Sequence, residues 1–567
     1  MNLTIGSSQE LPTHGRLSES LSWGCLVLTC CIGASIVWPL IDPYNLYAFE
    51  ADASGTIAYV QAFRHFAHGF NLGSLPRLNA YPPYFDGQYE IYAIGSFITD
   101  LLVRLRLISS TSLPTEQSVI IYTIRHMNAF FEVGACGFIF LSTRLLKASL
   151  PVAILAGTLF ALSPQLLHID LLRIDHLIIM LLCIVIYCCL RICNGGTSRS
   201  NGMFLGVAFG SLICTKIVAV VFVVPVALTL ARSLRQRHFS VCVAFLVSSL
   251  TVACLLSLRY LRHASEIIGN VVDKIQGVNE WSAVLSKRPY LYYNWDQFLP
   301  QGIWFIIATG IGFIIACRCY IQKPKAEVGL MIAGFAIYSL LGIPSLKYAR
   351  GGYHLLPFLI LIVVAASGCL RTSRESIKGF PTNAFFPSCF CFLCLLPATW
   401  NSFMEYRGIR LDTTRVAASI RLTRSAPRDW LIENVPQGSR VAVLINSEWA
   451  NPPIQDLGYD FSPKYFNFPY LDREQSAIFL PPKFQQLEAG CDIIVINDFH
   501  RSIFDYYLRY KFQLPEVAAK WDSFYVGLEK RYTSIKFTAE YSNYGVRSVE
   551  IFIVNPAILK KNASSNR

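Results

Sequence analysis

Met203-FLGVAFGSLICTKIVAVVFVVPVALTL-Ala231 is a run of 29 residues, uncharged except for Lys216 near its middle. As one helix it would reach about 43 Å, well past the ~30 Å hydrocarbon core of a bilayer. Both flanks are basic, with Arg191 and Arg199 before it and Arg232, Arg235 and Arg237 after it. Basic flanks belong on the cytoplasmic side, so the chain must cross an even number of times between them. The run therefore reads as two short helices broken near Thr215–Lys216, an interruption of the kind that usually lines a cavity.

The rest of the chain has the same character as far as Met404. Uncharged stretches of spanning length are Trp23–Ile41, Phe239–Leu258, Gln297–Cys317, Val328–Leu346, Gly351–Leu370 and Gly379–Met404. Three more, roughly 118–143, 150–167 and 174–190, carry some polar residues. With the broken pair this predicts a multi-pass α-helical membrane protein of about eleven transmembrane helices. The charges test the reading. The proposed cytoplasmic pieces hold 14 Lys and Arg in 65 residues, and the proposed outer loops hold 12 in 127. That bias starts the chain in the cytoplasm and leaves its end outside. The net charge of +13 is then mostly juxtamembrane charge, and no nucleic-acid partner is needed to explain it.

Composition agrees. The 567 residues are 53% hydrophobic and only 15% charged, with mean hydropathy +0.42, too little charge to coat a soluble surface of that size. Disorder and a disulfide-rich secreted scaffold are excluded. Of 18 cysteines, 17 lie between Cys25 and Cys394, nearly all in apolar runs, where cysteine acts as a small hydrophobe. Residues 1–404 form the membrane domain, with 42–117 as its first outer loop. Residues 405–567 read as one soluble, extracytoplasmic α/β domain: a helix over Thr413–Asn434, a turn at Pro436-Gln-Gly, and strands at Arg440–Ile445, Cys491–Asn497 and Val546–Asn555, with helical stretches between. It shows no nucleophile elbow, phosphate loop or paired-cysteine metal site, so its expected role is to shape acceptor binding. The first span is too long for a cleavable signal segment and lacks a small-residue cleavage site.

The first outer loop carries the chemistry. It opens with Phe49-Glu50-Ala51-Asp52, two carboxylates one residue apart at a membrane interface. Such a pair serves as a general base or as hard-metal ligands; plain loop acids, with Asp52 capping a helix, give the same pattern. Thr56–His68 puts Ile57, Val60, Phe63 and Ala67 on one face and Gln61, Arg64, His65 and His68 on the other, an amphipathic helix in the interface plane. Tyr81-Pro-Pro-Tyr-Phe-Asp-Gly-Gln-Tyr89-Glu-Ile-Tyr92 follows as an aromatic turn, leading into a second interfacial helix over Glu90–Leu107. A second acidic cluster, His168-Ile-Asp170-Leu-Leu-Arg173-Ile-Asp175-His176, falls on the same side. A helix there would put His168 and Asp175 on one face. Asp52, His168, Asp170 and Asp175 permit a divalent cation, and helix caps and interface acids explain them as well. Inside the second span, Arg125, Asn128 and Glu132 form one stripe, which must point into the bundle and reads first as a structural ion pair. Lys216, Lys347 and Arg350 are cations where a lipid phosphate would sit, or ordinary interface anchors.

These residues resemble the GT-C glycosyltransferases, which use lipid-linked sugars. The likeness rests on the acidic motif after the first span, the Tyr59…Gly69 helix and the Pro-Pro…Gly-Gln-Tyr…Tyr turn. It continues in Ser163-Pro164…Arg173-Ile-Asp175, Gly206…Gly210…Thr215-Lys216 and Lys347-Tyr-Ala-Arg350-Gly-Gly-Tyr-His…Pro357. It covers most of residues 20–370 in order and spacing, and is nearest the protein O-mannosyltransferase and aminoarabinose transferase (family 39-like) branch. The usual adjacent Asp-Glu pair is here Glu-Ala-Asp, which leaves both carboxylates open as the catalytic one; the Trp-Trp-Asp signature of oligosaccharyltransferases does not occur.

The resemblance implies sugar transfer from a polyprenyl-phosphate donor to a glycan, lipid or protein acceptor on the outer face of a bacterial inner membrane. It implies Asp52 or Glu50 as base, Asp175 in support, and Arg173, Lys216, Lys347, Arg350, Tyr81 and Tyr89 as contacts to the donor. It requires no cofactor and leaves a divalent metal optional. The competing reading is a transporter or flippase of lipid-linked saccharides, which repeat symmetry and midplane charges would signal.

The charge bias makes a direct prediction about sidedness. Cysteine probes at Ser54 and Ser462 should label in intact cells and a probe at Ser198 should not; labelling at Ser198 alone reverses the orientation.

Overall fold

The computed structural model describes residues 13–41, 56–57, 60–61, 63–65, 89–109, 116–167, 171, 175–215, 223–257, 299–340, 355–374, 385–443, 451–452, 454, 457–461, 480–498, 501, 505, 508–509, 514–543 and 546–560. Two compact units divide the chain between Ile409 and Arg410.

The first unit is all helix. Its elements are α1 (Thr13–Val37), α2 (Tyr89–Arg104), α3 (Glu116–Leu145), α4 (Leu150–Ala161), α5 (Pro164–Leu167), α6 (Asp175–Cys193), α7 (Arg199–Thr215), α8 (Val223–Arg235), α9 (Phe239–Ser257), α10 (Ile303–Gln322), α11 (Ala326–Leu340), α12 (Leu356–Arg374) and α13 (Phe385–Ile420). Every stretch read as a span holds one of these helices. Among the described residues four stretches are, by length and composition, long and apolar enough to cross a membrane: Glu19–Leu40, Leu150–Leu167, Asp175–Cys193 and Ile303–Gln322. The described part of this run holds two helices, one to Thr215 and one from Val223; the break expected near Thr215–Lys216 falls on residues outside the described ones. Several boundaries differ from the sequence reading: α12 runs over Leu356–Arg374, the helix read over Thr413–Asn434 is divided by a π-helical turn at Arg421–Ser425, and two more have a local cause. Gly302, at φ +94°, delays α10 to Ile303, and the helix then runs past Arg318 to Gln322. The last helix does not stop at Met404 but continues to Ile420, since nothing in 405–420 breaks a helix.

α3 is the hub, packed against α1, α2, α4 and α6. Its neighbours approach closely at small residues: a Cβ on Gly137 would lie 3.2 Å from Cys30 Sγ, and one on Gly157 of α4 would lie 3.3 Å from the Cys136 carbonyl oxygen. The sequence motif Gly206…Gly210 does the same for α7 and α9. A Cβ on Gly206 would collide with Ser248 and the Phe245 carbonyl, and one on Gly210 would sit 2.9 Å from the Ser249 carbonyl oxygen. Ser248 Oγ reaches the Met203 carbonyl across that contact, at 3.1 Å. Such close backbone approach gives helices dispersion contact where lipid supplies no hydrophobic drive. α12 is buried all round from Leu355 to Ala366, with α10 and α11 against it.

The second unit is an α/β domain. Its elements are a π-helical turn at Arg421–Ser425, α14 (Ala426–Asn434), β1 (Arg440–Val443), β2 (Asp460–Phe461), α15 (Phe484–Gly490), β3 (Ile493–Asn497), α16 (Pro515–Arg531), β4 (Thr533–Asn543) and β5 (Val546–Ile553). The sheet order is β2-β1-β3-β5-β4, with β2, β1 and β3 parallel and the β5–β4 hairpin antiparallel. β3 is a continuous apolar run because helices and loops cover both its faces. Ile494 and Ile496 pack with Leu487, Trp521, Phe524 and Leu528, while Ile493 and Val495 pack with Leu431, Val435, Val549 and Ile551. The sequence reading gave only helical stretches between Cys491–Asn497 and Val546–Asn555 and did not name β4. Its alternation of Ile535, Phe537 and Ala539 with Lys536 and Thr538 was the signal for a strand.

Asp492, just before β3, ties this sheet together. It accepts from Arg440 Nη2 on Oδ1 at 3.0 Å, from Arg440 Nε and the Arg440 backbone N–H on Oδ2 at 3.2 and 3.0 Å, and from Asn555 Nδ2 at 3.2 Å. The Arg440 hydrogen bonds hold its carboxyl below the usual range, against the opposing effect of burial. A depressed folded-state value stabilises above the unfolded value, near 4, and is lost as pH falls through the folded one. Hydrogen-exchange protection of β1 and β3 should therefore fall below about pH 4. Asp492→Asn should lose about 2 kcal/mol at neutral pH and show a weaker acid limb, as expected for hydrogen bonds to a charged group; an unchanged acid limb would refute the assignment.

Candidate active site

Arg64 is the first anchor. It lies in the helical stretch after the acidic motif, where Ile57, Val60 and Phe63 are buried as the amphipathic pattern predicts. The same pattern puts Arg64 on the outer face, but in the structure it is buried, 5% exposed, while His65 faces out. Its Nε donates to Glu116 Oε1 at 2.8 Å, Nη1 to Ser96 Oγ at 2.7 Å and Nη2 to Asp100 Oδ2 at 2.6 Å. The guanidinium also stands over the Phe97 ring, 5.0 Å from its centroid. A guanidinium fork makes these bonds at once, so one side chain joins the loop to α2 and to the start of α3.

α2 is amphipathic. Ile91, Ile94, Ile98, Leu101 and Leu105 form one exposed stripe, while Tyr92, Ala93, Ser96 and Thr99 are buried against protein. At 16 residues it is about 24 Å long, short of a bilayer core. An exposed isoleucine–leucine stripe on one side and a buried polar face on the other suit a helix lying at a lipid surface.

From that polar face Tyr92 donates to Asn128 Oδ1 at 2.5 Å, and Asn128 Nδ2 donates to the Leu171 carbonyl at 2.6 Å. One turn along α3, Glu132 Oε2 stands 3.2 Å from His176 Nδ1. That is a close contact at an angle outside hydrogen-bond geometry, and Glu132 Oε1 accepts nothing among the described residues. Asp175, the first residue of α6, is buried beside them, 4% exposed. Burial raises the Tyr92 phenol strongly, the Asn128 hydrogen bond lowers it, and the Asp175 carboxylate raises it further, which puts that charge within electrostatic reach of Tyr92. Arg125, on the same face of α3, is buried at 6% exposed. The stripe of Arg125, Asn128 and Glu132 thus points into the bundle, as its cost in lipid requires. Glu132 pairs with His176, a partner in another helix.

Of the residues read from the sequence, Asp175 stands in this cluster and Tyr89 opens α2. Glu50, Asp52, Tyr81, His168, Asp170, Arg173, Lys216, Lys347 and Arg350 lie outside the described residues. Leu171 is in a turn, so no single helix runs from residue 168 to 175. Among the described residues no three His, Cys, Asp or Glu converge on a metal position. The sequence reading passed over Tyr92 and His176 as participants. His176 directly follows Asp175, and Tyr92 ends the aromatic turn; their partners on α3 are distant in sequence.

A bundle built on a polar-striped helix, with interfacial helices before it and an α/β domain after it, has known counterparts. The Archaeoglobus fulgidus oligosaccharyltransferase in its apo form matches over 92% of this chain and 74% of its own, with TM-score 0.52 and 11% identity. The fold is GT-C. ArnT from Cupriavidus metallidurans, in the apo state, aligns over 95% of this chain and 99% of its own at TM-score 0.49 and 11% identity. No family model and no curated protein matches the sequence. GT-C enzymes are multi-pass membrane proteins, and the exposed apolar faces of α9 (Val243, Val247, Leu250) and α10 (Ile303, Ile307, Ile314) suit a lipid surround.

The Arg64 contacts predict a specific weakness. Arg64→Met leaves Asp100 and Glu116 without their cation and should cost about 2 kcal/mol or more. Arg64→Lys keeps the charge but not the fork and should fall between. Thermal unfolding in nanodiscs, with hydrogen exchange of 89–104, measures both; wild-type exchange in Arg64→Met would refute the anchor.

Proposed function

We propose that this protein is a membrane glycosyltransferase that moves a sugar from a polyprenyl-phosphate donor to a glycan, lipid or protein acceptor on the outer face. The observation that carries the reading is the buried polar cluster around Asp175, set on a GT-C fold directly behind a helix whose other face is an exposed apolar stripe. A lipid-linked donor needs this adjacency, with its chain in the bilayer and its headgroup at a carboxylate. The proposed topology has about eleven crossings, a cytoplasmic N-terminus and an outer C-terminal domain, in a bacterial inner membrane. On that topology Arg144 marks the inner edge of α3. Roughly twenty residues span the core, so Arg125 falls at the outer edge and Asn128 and Glu132 just below it. The cluster and the outer loop then meet at one interface.

Asp52 is the proposed base and Glu50 its alternate. The acceptor hydroxyl loses its proton to the carboxylate as its oxygen attacks the anomeric carbon. The C1–O bond electrons leave with the polyprenyl phosphate, and single displacement inverts the anomeric centre. Asp52 is preferred because it precedes the helical stretch fixed by Arg64, and a helix N-terminus keeps a carboxylate ionised. Lys216, Lys347, Arg350 and Arg173 are the proposed cations for the departing phosphate, where charge grows in the transition state. Tyr81 and Tyr89 are assigned to the donor, and Asp175 supports the base. The family 39-like branch remains the nearest in motif order.

Purified full-length protein in nanodiscs, given a panel of undecaprenyl-phosphate-linked sugars, tests the proposal by release of undecaprenyl phosphate with sugar transfer. Asp52→Asn should lower turnover about 10²–10⁴-fold, the usual value of a general base. Turnover within about tenfold of wild type moves the role to Glu50 if Glu50→Gln is inactive, and sinks the carboxylate base if it is not. Vectorial movement of intact donor without bond cleavage would establish a transporter instead.

A further inference from the structure

We infer that Asn128 and Glu132 of α3, with Tyr92 of α2, are positioning residues that clamp the chain on both sides of Asp175. This rests on the proposed role of Asp175 and adds to it how that carboxylate is held. Asn128 and Glu132 are four residues apart on one helix and therefore share a face. Asn128 Nδ2 holds the Leu171 carbonyl at 2.6 Å, four residues before Asp175. Glu132 Oε2 stands against His176 Nδ1 at 3.2 Å, one residue after it.

The clamp has one consistent hydrogen-bond arrangement. A backbone carbonyl only accepts, so the Asn128 amide must turn its NH₂ to Leu171. Its oxygen then faces Tyr92, whose hydroxyl must donate, at 2.5 Å. The amide is thereby locked against flipping, and the lipid-side helix α2 is tied to the segment carrying Asp175. Tyr92, Asn128, Glu132, Asp175 and His176 are all at most 4% exposed, so no water competes along the chain of contacts. Glu132 is also best satisfied by its neighbour in α6. One of its oxygens accepts nothing among the described residues, and a buried carboxylate without a counter-charge is unstable. The His176 contact is thus held from both ends. A carboxylate held this way is preorganised, and a displacement near 1 Å costs about 10²-fold in rate.

The experiment compares Tyr92→Phe and Glu132→Gln, each alone and in an Asp175→Asn background, in full-length protein in nanodiscs with undecaprenyl phosphoryl mannose as the probe donor. Release of undecaprenyl phosphate gives kcat and KM. Hydrogen exchange over 166–180 is measured on every variant, whatever its turnover. The expected result is a ten- to hundredfold fall in kcat with KM little changed, faster exchange over 166–180, and no further fall once Asp175 is Asn, because residues that act as a unit are non-additive. Full additivity in the Asp175→Asn background overturns the inference and leaves the proposed function standing. Unaltered exchange in both variants also overturns it, with or without turnover. Wild-type turnover by Asp175→Asn removes the role of Asp175 itself and takes the inference with it.

Discussion

A helix that carries an arginine, an asparagine and a glutamate on one face cannot present that face to lipid, and the membrane unit is built around this constraint. Each unpaired charge in hydrocarbon costs several kilocalories per mole, so the stripe on α3 must be enclosed and every group on it given a partner. The surrounding helices enclose it. α6 supplies His176 to Glu132, the segment before it offers the Leu171 carbonyl to Asn128, and α2 closes the remaining acceptor with Tyr92. α1 and α4 cover the apolar flanks at small residues where backbones nearly touch. The polar stripe thus selects which helices neighbour α3, and the same selection brings Asp175 to the interfacial helix.

The segment before α3 obeys a related rule. Arg64 gathers two carboxylates and a hydroxyl from two helices, and its burial is tolerated because Asp100 and Glu116 are themselves partly exposed and keep some hydration. An anchor of this kind fixes orientation more than it adds net stability, since desolvating the guanidinium offsets much of the attraction. Orientation is what the loop needs. α2 must turn Ile94 and Ile98 outward and Tyr92 inward, and a rotation of one residue position, about 100°, would bring the apolar stripe towards Asn128.

How much of this was legible in the sequence follows from the range of the forces involved. Span positions are local properties of composition, and each predicted stretch holds a helix. The inward turn of Arg125, Asn128 and Glu132 was legible because a charge inside an apolar run has few solutions. The extension of α13 to Ile420 was not, because a helix leaving a membrane shows no change in local propensity where the solvent changes. The β4 strand was legible in its alternation and passed over. The burial of Arg64 was hidden, since a helical wheel separates polar from apolar and a buried arginine with three polar partners breaks that rule. The His176–Glu132 and Tyr92–Asn128 contacts join residues 44 and 36 positions apart, and no local pattern reports such a pair.

The family reading worked at the level of fold and stopped there for a physical reason. A GT-C bundle is specified by the order of its spans and by the polar groups its interior must satisfy, and both are present in a single sequence. Donor and acceptor choice depends on side chains in loops, where backbone geometry varies freely and residue type alone is a weak guide. The buried cluster lies between these two cases. Its members are fixed by the need for satisfaction, as in a core, yet they surround the carboxylate that the proposed function uses. Residues constrained by both requirements at once connect the fold to the chemistry here, which makes α3, rather than the loops themselves, the element that sets the geometry of Asp175.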